Sequence, residues 1–400
     1  MSTIEPSSPG AADAEPRAPA LRSVPRWMVV LAVAVAILAA AFTGFRVPSS
    51  WSATLDAVSL FDGFHRRFLV GTLLRPLATA TGYNYWLFAA FSYLVLGAIL
   101  AAVTVAAVRE ALFSRRVLVL AWLLLPAGGF LFHEVGYFDQ VLYLLLFAAI
   151  WLLPRDRVWF AVGLMCAAPL VHEIAIATVI PVFGLVALRT LPVRRAVLVT
   201  LPPAVVNGVV LAVSPASPGA VTALTASLRG ANFVHRSDAL ALFERSLAES
   251  SRLYSLKSAI VVVQPVAILL VVGFACVWLA DRELWRRSPG RLPPQLGLLA
   301  SCVAIAAPAL LVYGGWDANR WAFMIIGNFF LVMWISLGDR RGHELGARAA
   351  VILATVVLLL GHVALGYFDS FAPRDLGSRA ARRLLFREIK DRSLFKIPDL

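Results

Sequence analysis

The chain of 400 residues is 60% hydrophobic and 15% charged, and its mean hydropathy is +0.80. Soluble globular domains contain about 45–50% apolar and about 25% charged residues, so this composition excludes a soluble protein. The formal net charge of +13 suggests nucleic-acid binding, but the basic residues are distributed as in a membrane protein, and no nucleic-acid partner is expected. The three cysteines lie in apolar stretches and define neither a disulfide framework nor a zinc site.

Uninterrupted apolar stretches predict eleven membrane-spanning helices, at 27–45, 86–108, 117–132, 140–153, 158–171, 174–188, 196–214, 258–280, 296–314, 321–338 and 349–367. The predicted fold class is therefore all-α, a polytopic transmembrane helical bundle over residues 27–367. Residues 1–26, rich in Pro, Ala, Ser and Glu, are predicted to form a disordered cytoplasmic tail. Residues 368–400 are predicted to form a basic, amphipathic extracytoplasmic tail that rests on membrane lipids.

The distribution of Lys and Arg predicts the orientation. Half of these residues, 18 of 36, fall in short segments that share one side of the membrane, at 1–26, 109–116, 154–157, 189–195, 281–295 and 339–348. The short segments on the other side, 133–139 and 172–173, contain none, and 315–320 contains only Arg320. Because short cytoplasmic loops are enriched in Lys and Arg, this asymmetry predicts a cytoplasmic N-terminus and an extracytoplasmic C-terminus.

One long apolar stretch, 158–188, could form a single helix of 31 residues. A single helix there would turn the Arg-rich segments 281–295 and 339–348 to the outer side. We therefore predict a break at His172-Glu173, which gives two short helices in a hairpin that lines a cavity, where polar backbone is tolerated at membrane depth.

Ionisable residues are concentrated on the predicted outer side of the bundle. Such residues at the edge of apolar spans are costly to place, so they are functional candidates by default. The outer segments contribute Asp62, His65, Arg66 and Arg67, then His133, Glu134 and Asp139, then His172 and Glu173, and finally Asp317 and Arg320.

The first outer loop contains Phe61, Phe64 and Phe68 at positions i, i+3 and i+7. This spacing predicts an amphipathic helix over 56–75 that lies in the membrane interface, with the polar residues on the opposite face.

Two interpretations of that polar face remain open. In the first, Asp62 and Arg66 form an i,i+4 ion pair and the loop contacts lipid headgroups. In the second, Asp62 is a general base, and Arg66, Arg67 and Arg75 bind phosphate, because guanidinium groups match phosphate oxygens bidentately.

The second outer loop and the predicted helix break also admit structural interpretations. Asp139 could cap the helix that follows it, and Glu173 could hydrogen-bond to another helix because a buried carboxylate needs a partner. Asp317 and Arg320 could form a local pair in an aromatic belt or bind a sugar or an anionic headgroup. A divalent metal is chemically possible at His133, Glu134, Asp139, His172 and Glu173, but no spacing rule supports it, so the cofactor is unknown.

The layout of residues 27–190 resembles that of a known family. A first span is followed by an outer loop that contains an Asp and a predicted interfacial helix, and the second outer loop leads into Asp139-Gln-Val-Leu-Tyr-Leu-Leu-Leu-Phe147. This order is similar to that of the GT-C superfamily of polytopic glycosyltransferases. The resemblance implies catalytic carboxylates at Asp62, with Asp56 as the less favoured choice, and at Asp139. The chain lacks the paired acidic dipeptide of many members.

The resemblance also implies a function. We expect transfer of a sugar from a polyprenyl-phosphate donor to a glycan or lipid acceptor, on the outer face of a bacterial inner membrane. One alternative is a polysaccharide polymerase or ligase, which also acts on a lipid-linked glycan. Another is a transporter of an anion, a lipid or a glycan, for which matching broken helices in two related halves are expected.

The topology can be tested with reporter fusions. We expect alkaline phosphatase fused after residue 235 to be active and the same fusion after residue 290 to be inactive, because 215–257 is predicted outside and 281–295 cytoplasmic. The opposite pattern of activities would reverse the predicted orientation.

Overall fold

The described part of the chain is mostly helical, and it contains no strand. This structure is a computed structural model, and it describes residues 25–110, 113–213, 215–217, 219–246, 294–313 and 317–338, with isolated positions at 249, 379, 382 and 383. The predicted tails and the predicted spans 258–280 and 349–367 lie essentially outside these residues.

The described ranges contain fourteen α-helices, which we number in chain order. They are α1 Arg26–Gly44, α2 Ser50–Asp56, α3 Phe68–Ala80, α4 Tyr85–Arg109, α5 Phe113–Leu124, α6 Pro126–His133, α7 Phe138–Leu152, α8 Val158–Val171, α9 Val179–Thr190, α10 Val193–Val213, α11 Ala220–Ser227, α12 Ser237–Glu244, α13 Pro294–Ala306 and α14 Ala318–Gly338. Short 3-10 helices cover Leu60–Asp62, Leu153–Arg155, Glu173–Ile176, Leu228–Gly230 and Ala307–Tyr313.

Helix length and composition identify a multi-pass membrane protein. Within the described residues, six helices are long and apolar enough to cross a membrane, at Arg26–Gly44, Tyr85–Arg109, Phe138–Arg155, Glu173–Thr190, Val193–Val213 and Gln295–Tyr313. The bent pair α5 and α6 would make a seventh span. Helices α3, α8 and the apolar part of α14 are shorter than that length. Each of the nine predicted spans in the described residues coincides with helix, although not every one forms a full-length span.

The predicted break at His172 is confirmed. Helix α8 ends at Val171, His172 adopts an extended conformation, and the chain resumes as a 3-10 helix from Glu173 before α9 begins. A second break, between α5 and α6, was not predicted and bends the chain by 57°. Pro126 begins α6, where its missing N–H is tolerated, but the same residue could not continue α5 without losing a backbone hydrogen bond.

The predicted helix over 56–75 is wrong in its position. Helix α2 ends at Asp56, and the chain turns through Gly63 (φ 109°) and Arg67 (φ 67°) before α3 begins. A Cβ atom at Gly63 would lie 2.9 Å from the Cβ atom of Ala220, so this turn lets α11 approach closely. The amphipathic segment is instead α3, which exposes Leu73 by 70% and Leu77 by 56%.

The helices pack around a continuous apolar core. Helix α8 packs against both α7 and α10, and fully buried side chains such as Leu142, Leu146, Met165 and Phe183 fill the space between helices. Helices α1 and α6 approach so closely that a Cβ atom on Gly44 would lie 1.7 Å from the carbonyl oxygen of Gly129. Only glycine fits there.

Segments that were predicted to share a side of the membrane are close together. Residues 215–246 cover the first outer loop, with hydrogen bonds from the Ser217 amide to the Phe64 carbonyl (3.2 Å) and from the Arg236 amide to Thr54 Oγ1 (3.1 Å). At the other end, Arg115 Nε donates to the carbonyl of Trp334 at 2.8 Å. These contacts place residues 215–217 and 219–246 against the first outer loop, and Arg115 against the last turns of α14.

The close contact between α1 and α6 can be tested by adding a single methyl group. We expect Gly44→Ala to lower the thermal unfolding midpoint in detergent by several degrees, because the backbones must separate to accommodate the new atom. Gly97→Ala on α4 is the matched control, since open space surrounds that position and alanine favours a helix by about 1 kcal/mol. Equal midpoints for the two variants would contradict the packing.

Candidate functional site

Buried arginine and carboxylate side chains form ion pairs at one end of the bundle. They come from the first outer loop and from the residues around 134–139, 173 and 317–320, which are far apart in the sequence. Buried charges are stable only when they are paired and hydrogen-bonded. We call this set the polar cluster, and it consists of Arg46, Asp62, Arg66, Arg67, Arg75, Glu134, Asp139, Glu173, Asp317 and Arg320.

Arg67 and Glu173 form the pair with the most contacts. Arg67 Nη2 donates to Glu173 Oε1 at 2.6 Å, and Nε donates to Oε2 at 3.0 Å. His172 Nδ1 lies 3.1 Å from Oε2 of the same carboxylate. The pair joins the residue just before α3 to the helix break at His172, so it holds the first outer loop against α8 and α9. The predicted need of Glu173 for a partner is thereby met.

Arg66 has backbone partners in α12 and the residue that follows it. Its Nη2 donates to the carbonyl of Leu242 at 2.6 Å and to that of Arg245 at 2.8 Å, while Nη1 lies 3.7 Å from Glu173 Oε1. Burial lowers the pKa of Arg66, and the nearby carboxylate of Glu173 opposes that shift. Arg66 and Arg67 were predicted to bind phosphate, but here both have partners within the protein.

Asp62 pairs with Arg75 and not with Arg66, so the predicted i,i+4 pair is wrong. Arg75 Nη1 donates to Asp62 Oδ2 at 2.6 Å, and Ser227 Oγ donates to Oδ1 at 2.8 Å. The turn at Gly63 separates the carboxylate from the face that Arg66 occupies. Hydrogen bonding to Asp62 raises the pKa of Arg75.

His65 is completely buried next to this pair. Its ring meets Phe243 edge to face, with 5.5 Å between centroids. Burial lowers its pKa, whereas the charge of Asp62 and the backbone of Ala220 act in the opposite direction. The buried ring therefore packs the loop beside Asp62.

Asp139 binds Arg320 and does not cap α7. The N-cap residue is Tyr137, and both oxygens of Asp139 accept hydrogen bonds from Arg320, from Nε and Nη2, each at 2.8 Å. The predicted pair of Asp317 with Arg320 is confirmed at 3.1 Å. The Arg320 guanidinium also lies 4.7 Å from the centroid of the Tyr137 ring. The second outer loop and the start of α14 are therefore held together by one guanidinium.

Glu134 has the loosest contacts in the polar cluster. Its Oε1 lies 3.5 Å from Arg46 Nη2, and its Oε2 lies 3.9 Å from Arg320 Nε and accepts no hydrogen bond. Burial raises the pKa of Glu134 to about 8, although Arg46 and Arg320 oppose the shift. Near neutral pH the Glu134 carboxyl is therefore mostly protonated.

The two His-Glu dipeptides occupy similar places. Each lies where a helix ends, α6 at His133 and α8 just before His172, and each Glu faces an arginine of the first outer loop. His133 packs near Phe130, whereas His172 contacts its own Glu. Within the described ranges, no three His, Cys, Asp or Glu side chains are arranged to hold a metal ion. The cluster's buried carboxylates face arginines, so the divalent-metal interpretation gains no support.

Sequence reasoning missed Arg46, Ser227 and the backbone carbonyls that bind Arg66. Arg46 directly follows the predicted first span, where a basic side chain is ordinarily a membrane-interface anchor, and Ser227 has no local pattern that marks it.

Asp56, the alternative catalytic choice, is buried, its Oδ2 has no hydrogen-bond partner, and burial raises its pKa. Among the described contacts, Asp62 and Asp139 share no partner.

The stabilising role of the ion pair between Arg67 and Glu173 can be measured by removing one charge. We expect Glu173→Gln to lower the free energy of unfolding by about 3–5 kcal/mol, because Arg67 is left buried without a counter-charge. Asp238→Asn, which removes the exposed partner of Arg236, should cost no more than about 1 kcal/mol. Unfolding in mixed detergent and SDS micelles measures both changes, and similar values would contradict the structural role of Arg67 and Glu173.

Comparisons with known proteins identify no relative of this chain. No protein-family model matches this chain, and neither a curated protein nor a solved structure matches it. The function of the polar cluster is therefore inferred from its own contacts and charges.

Proposed function

We propose that the protein is a GT-C-like glycosyltransferase that takes its sugar from a polyprenyl-phosphate donor on the outer face of a bacterial inner membrane. The observation that carries the proposal is the polar cluster, in which arginines and carboxylates are buried at one end of an apolar bundle. A lipid-linked donor places its tail in the bilayer and its phosphate at the interface, which is where such a cluster can bind it.

The charge of the cluster favours an anionic ligand. It contains five arginines and five carboxylates, and the pKa of Glu134, raised to about 8, leaves that carboxyl mostly uncharged near neutral pH. The cluster then has an excess of positive charge. Every cation in it is an arginine, whose planar guanidinium matches phosphate oxygens better than an ammonium group does.

In the proposed reaction Asp62 is the general base. Each of its oxygens already accepts one hydrogen bond, from Arg75 or from Ser227, but a carboxylate has about four acceptor sites, so about two remain and an acceptor hydroxyl can occupy one of them. The proton moves to Asp62 while the acceptor oxygen bonds to the anomeric carbon. The bond from that carbon to the phosphate oxygen breaks, and the lipid phosphate leaves with the electron pair, which inverts the sugar. Asp139 holds Arg320 in place.

The exposed surface of α3 is an argument for a lipid substrate. The helix presents exposed Leu73 and Leu77 to the surroundings, while Arg75 on the same helix reaches Asp62. Phe61, which precedes Asp62, is exposed by 72%. Apolar side chains that face lipid beside a charged site suit a substrate with a hydrocarbon tail and a polar head.

A transporter of an anion, a lipid or a glycan is the second candidate. The observation in its favour is the second broken helix, at the α5 to α6 bend, in addition to the break at His172. Discontinuous helices, whose half-helix ends and unwound backbone bind the substrate, are a feature of transporters. A polymerase or ligase of lipid-linked glycans would use the same cluster as a transferase and would differ in the length of its product.

The catalytic assignment can be tested in one assay of sugar transfer from polyprenyl-phosphate donors. We expect Asp62→Asn to reduce turnover by about 10²-fold or more, because the amide keeps the shape of the side chain but cannot accept the proton. We expect Asp139→Asn to reduce turnover as well, since an amide cannot pair with both donor groups of Arg320.

Glu110→Gln is the matched control, because Glu110 pairs with Arg115 at the other end of the bundle. This variant should keep its activity. Normal turnover by Asp62→Asn together with loss in Asp139→Asn would move the catalytic centre to the group from His133 to Glu173. Normal turnover by both variants would abandon the transferase mechanism, and substrate flux into proteoliposomes would then support the transporter.

A further inference from the structure

The buried ion pairs of the polar cluster are not equally close. Glu173, Asp139 and Asp62 each accept a hydrogen bond from an arginine, with shortest distances of 2.6, 2.8 and 2.6 Å. Glu134 has only one hydrogen-bond contact with an arginine, at 3.5 Å from Arg46 Nη2. Three of the four buried carboxylates are thus in closed pairs, and the pair of Arg46 with Glu134 is open.

Hydrogen-bonding groups at the open pair lack partners. Arg46 Nε and Glu134 Oε2 are both buried, and neither makes a hydrogen bond. Leaving such groups unpaired is destabilising, so a ligand that pairs with them gains stabilisation that the closed pairs cannot offer.

The open pair is also accessible, as is Arg75, whose side chain is 24% exposed in its closed pair with Asp62. The Arg46 side chain is 25% exposed, whereas that of Glu134 is almost completely buried. Arg46 lies two residues after Gly44, the last residue of α1, a helix whose length suits a membrane span, so its guanidinium lies where a span meets the polar cluster. An anion can therefore approach Arg46 from the membrane boundary without first breaking a closed pair.

We propose that Arg46, in its open pair with Glu134, binds the phosphate of a phosphodiester ligand. In the bound state, phosphate oxygens accept hydrogen bonds from Arg46 Nε and Nη2, which match a planar pair of acceptors. Glu134 in its protonated form donates its own hydrogen bond to the same phosphate. Arg320 adds a second positive charge behind Glu134.

The protonation state of Glu134 controls this site. The charged and titratable groups that face it come from the end of α1, the start of α7 and the start of α14, and they are Arg46, Tyr137, Asp139, Asp317 and Arg320. With a pKa of about 8, the Glu134 carboxyl is neutral below that pH and ionised above it. An ionised Glu134 competes for Arg46 and repels the phosphate, so affinity should fall as the pH rises through 8.

This inference deepens the proposed function, on which it rests for the identity of the natural ligand, because polyprenyl-phosphate sugars are phosphodiesters. It assigns donor phosphate to Arg46 rather than to Arg66 and Arg67, which have protein partners. Phosphodiester binding is measured without turnover, so the proposed binding site and the proposed transferase activity can fail separately. Phosphodiester binding at Arg46 without transfer from any lipid-linked donor would leave this site intact and remove the transferase.

The test uses the full chain in dodecyl maltoside micelles, which contain no phosphate, with dibutyl phosphate as the probe and calorimetry as the readout. This diester carries one negative charge from about pH 6 to pH 9.5, so any pH dependence reports the protein. We expect Arg46→Gln to weaken binding by about tenfold or more. Arg115→Gln, which removes an arginine paired with Glu110 at the other end of the bundle, should leave the affinity unchanged.

Glu134→Gln supplies an independent measurement if Arg46→Gln does not fold. We expect this variant to bind dibutyl phosphate with an affinity that no longer falls as the pH rises through 8, because glutamine does not ionise. Persistent pH dependence in Glu134→Gln, or unchanged affinity in Arg46→Gln, would overturn the proposal.

The source of the phosphodiester is tested by adding phosphatidylglycerol to the micelles. Competition between phosphatidylglycerol and dibutyl phosphate would identify a membrane lipid headgroup as a ligand of the site. Binding of dibutyl phosphate without such competition would identify a phosphodiester that ordinary membrane lipid does not replace. Absence of binding by both compounds would overturn the proposal.

Discussion

Charge burial in an apolar bundle is the constraint on which this structure depends. Moving an ion from water into a protein interior costs several kcal/mol, and the cost is recovered only when an opposite charge with good hydrogen-bond geometry is near. Arg67 and Glu173 satisfy this requirement through two donor atoms and both carboxylate oxygens. Since these partners lie 106 residues apart, pairing them fixes how the first outer loop sits against the broken helix.

Irregular backbone and buried charge accompany each other in this chain. The left-handed conformation of Arg67 ends the turn of the first loop and starts α3, and the extended conformation of His172 ends α8. Each irregularity leaves backbone groups outside a regular helix, and side chains satisfy part of them, as when the Ile174 amide donates to His172 Nδ1 at 3.4 Å. Positions where the helices are interrupted are thus also the positions where polar chemistry can be held at the edge of a membrane.

The polar cluster combines rigid and adjustable parts. Closed pairs at Asp139 and Glu173 hold loops and helices together, which gives a site a fixed shape. The open pair of Arg46 with Glu134 retains unpartnered atoms and a titratable carboxyl, which gives the same site room for an anion. A transferase, a polymerase and a transporter of lipid-linked substrates would each use a site with fixed and adjustable parts. Proton transfer to Asp62 is required of the proposed transferase and not of the transporter.

The sequence by itself determined the class of fold, the positions of the apolar helices and the segments that carry ionisable residues. Apolar length and the placement of arginines are local properties, so the described apolar helices at nine of the predicted positions and the break at His172 could be predicted from them, although only six of these helices are long enough to span a membrane. Only the tertiary structure decided which charges pair. Asp62 was assigned to Arg66 by helical spacing, but a turn at Gly63 intervenes and Arg75 takes its place. Arg46 carries no local signal, because its partner Glu134 lies 88 residues away and helix packing alone brings them together.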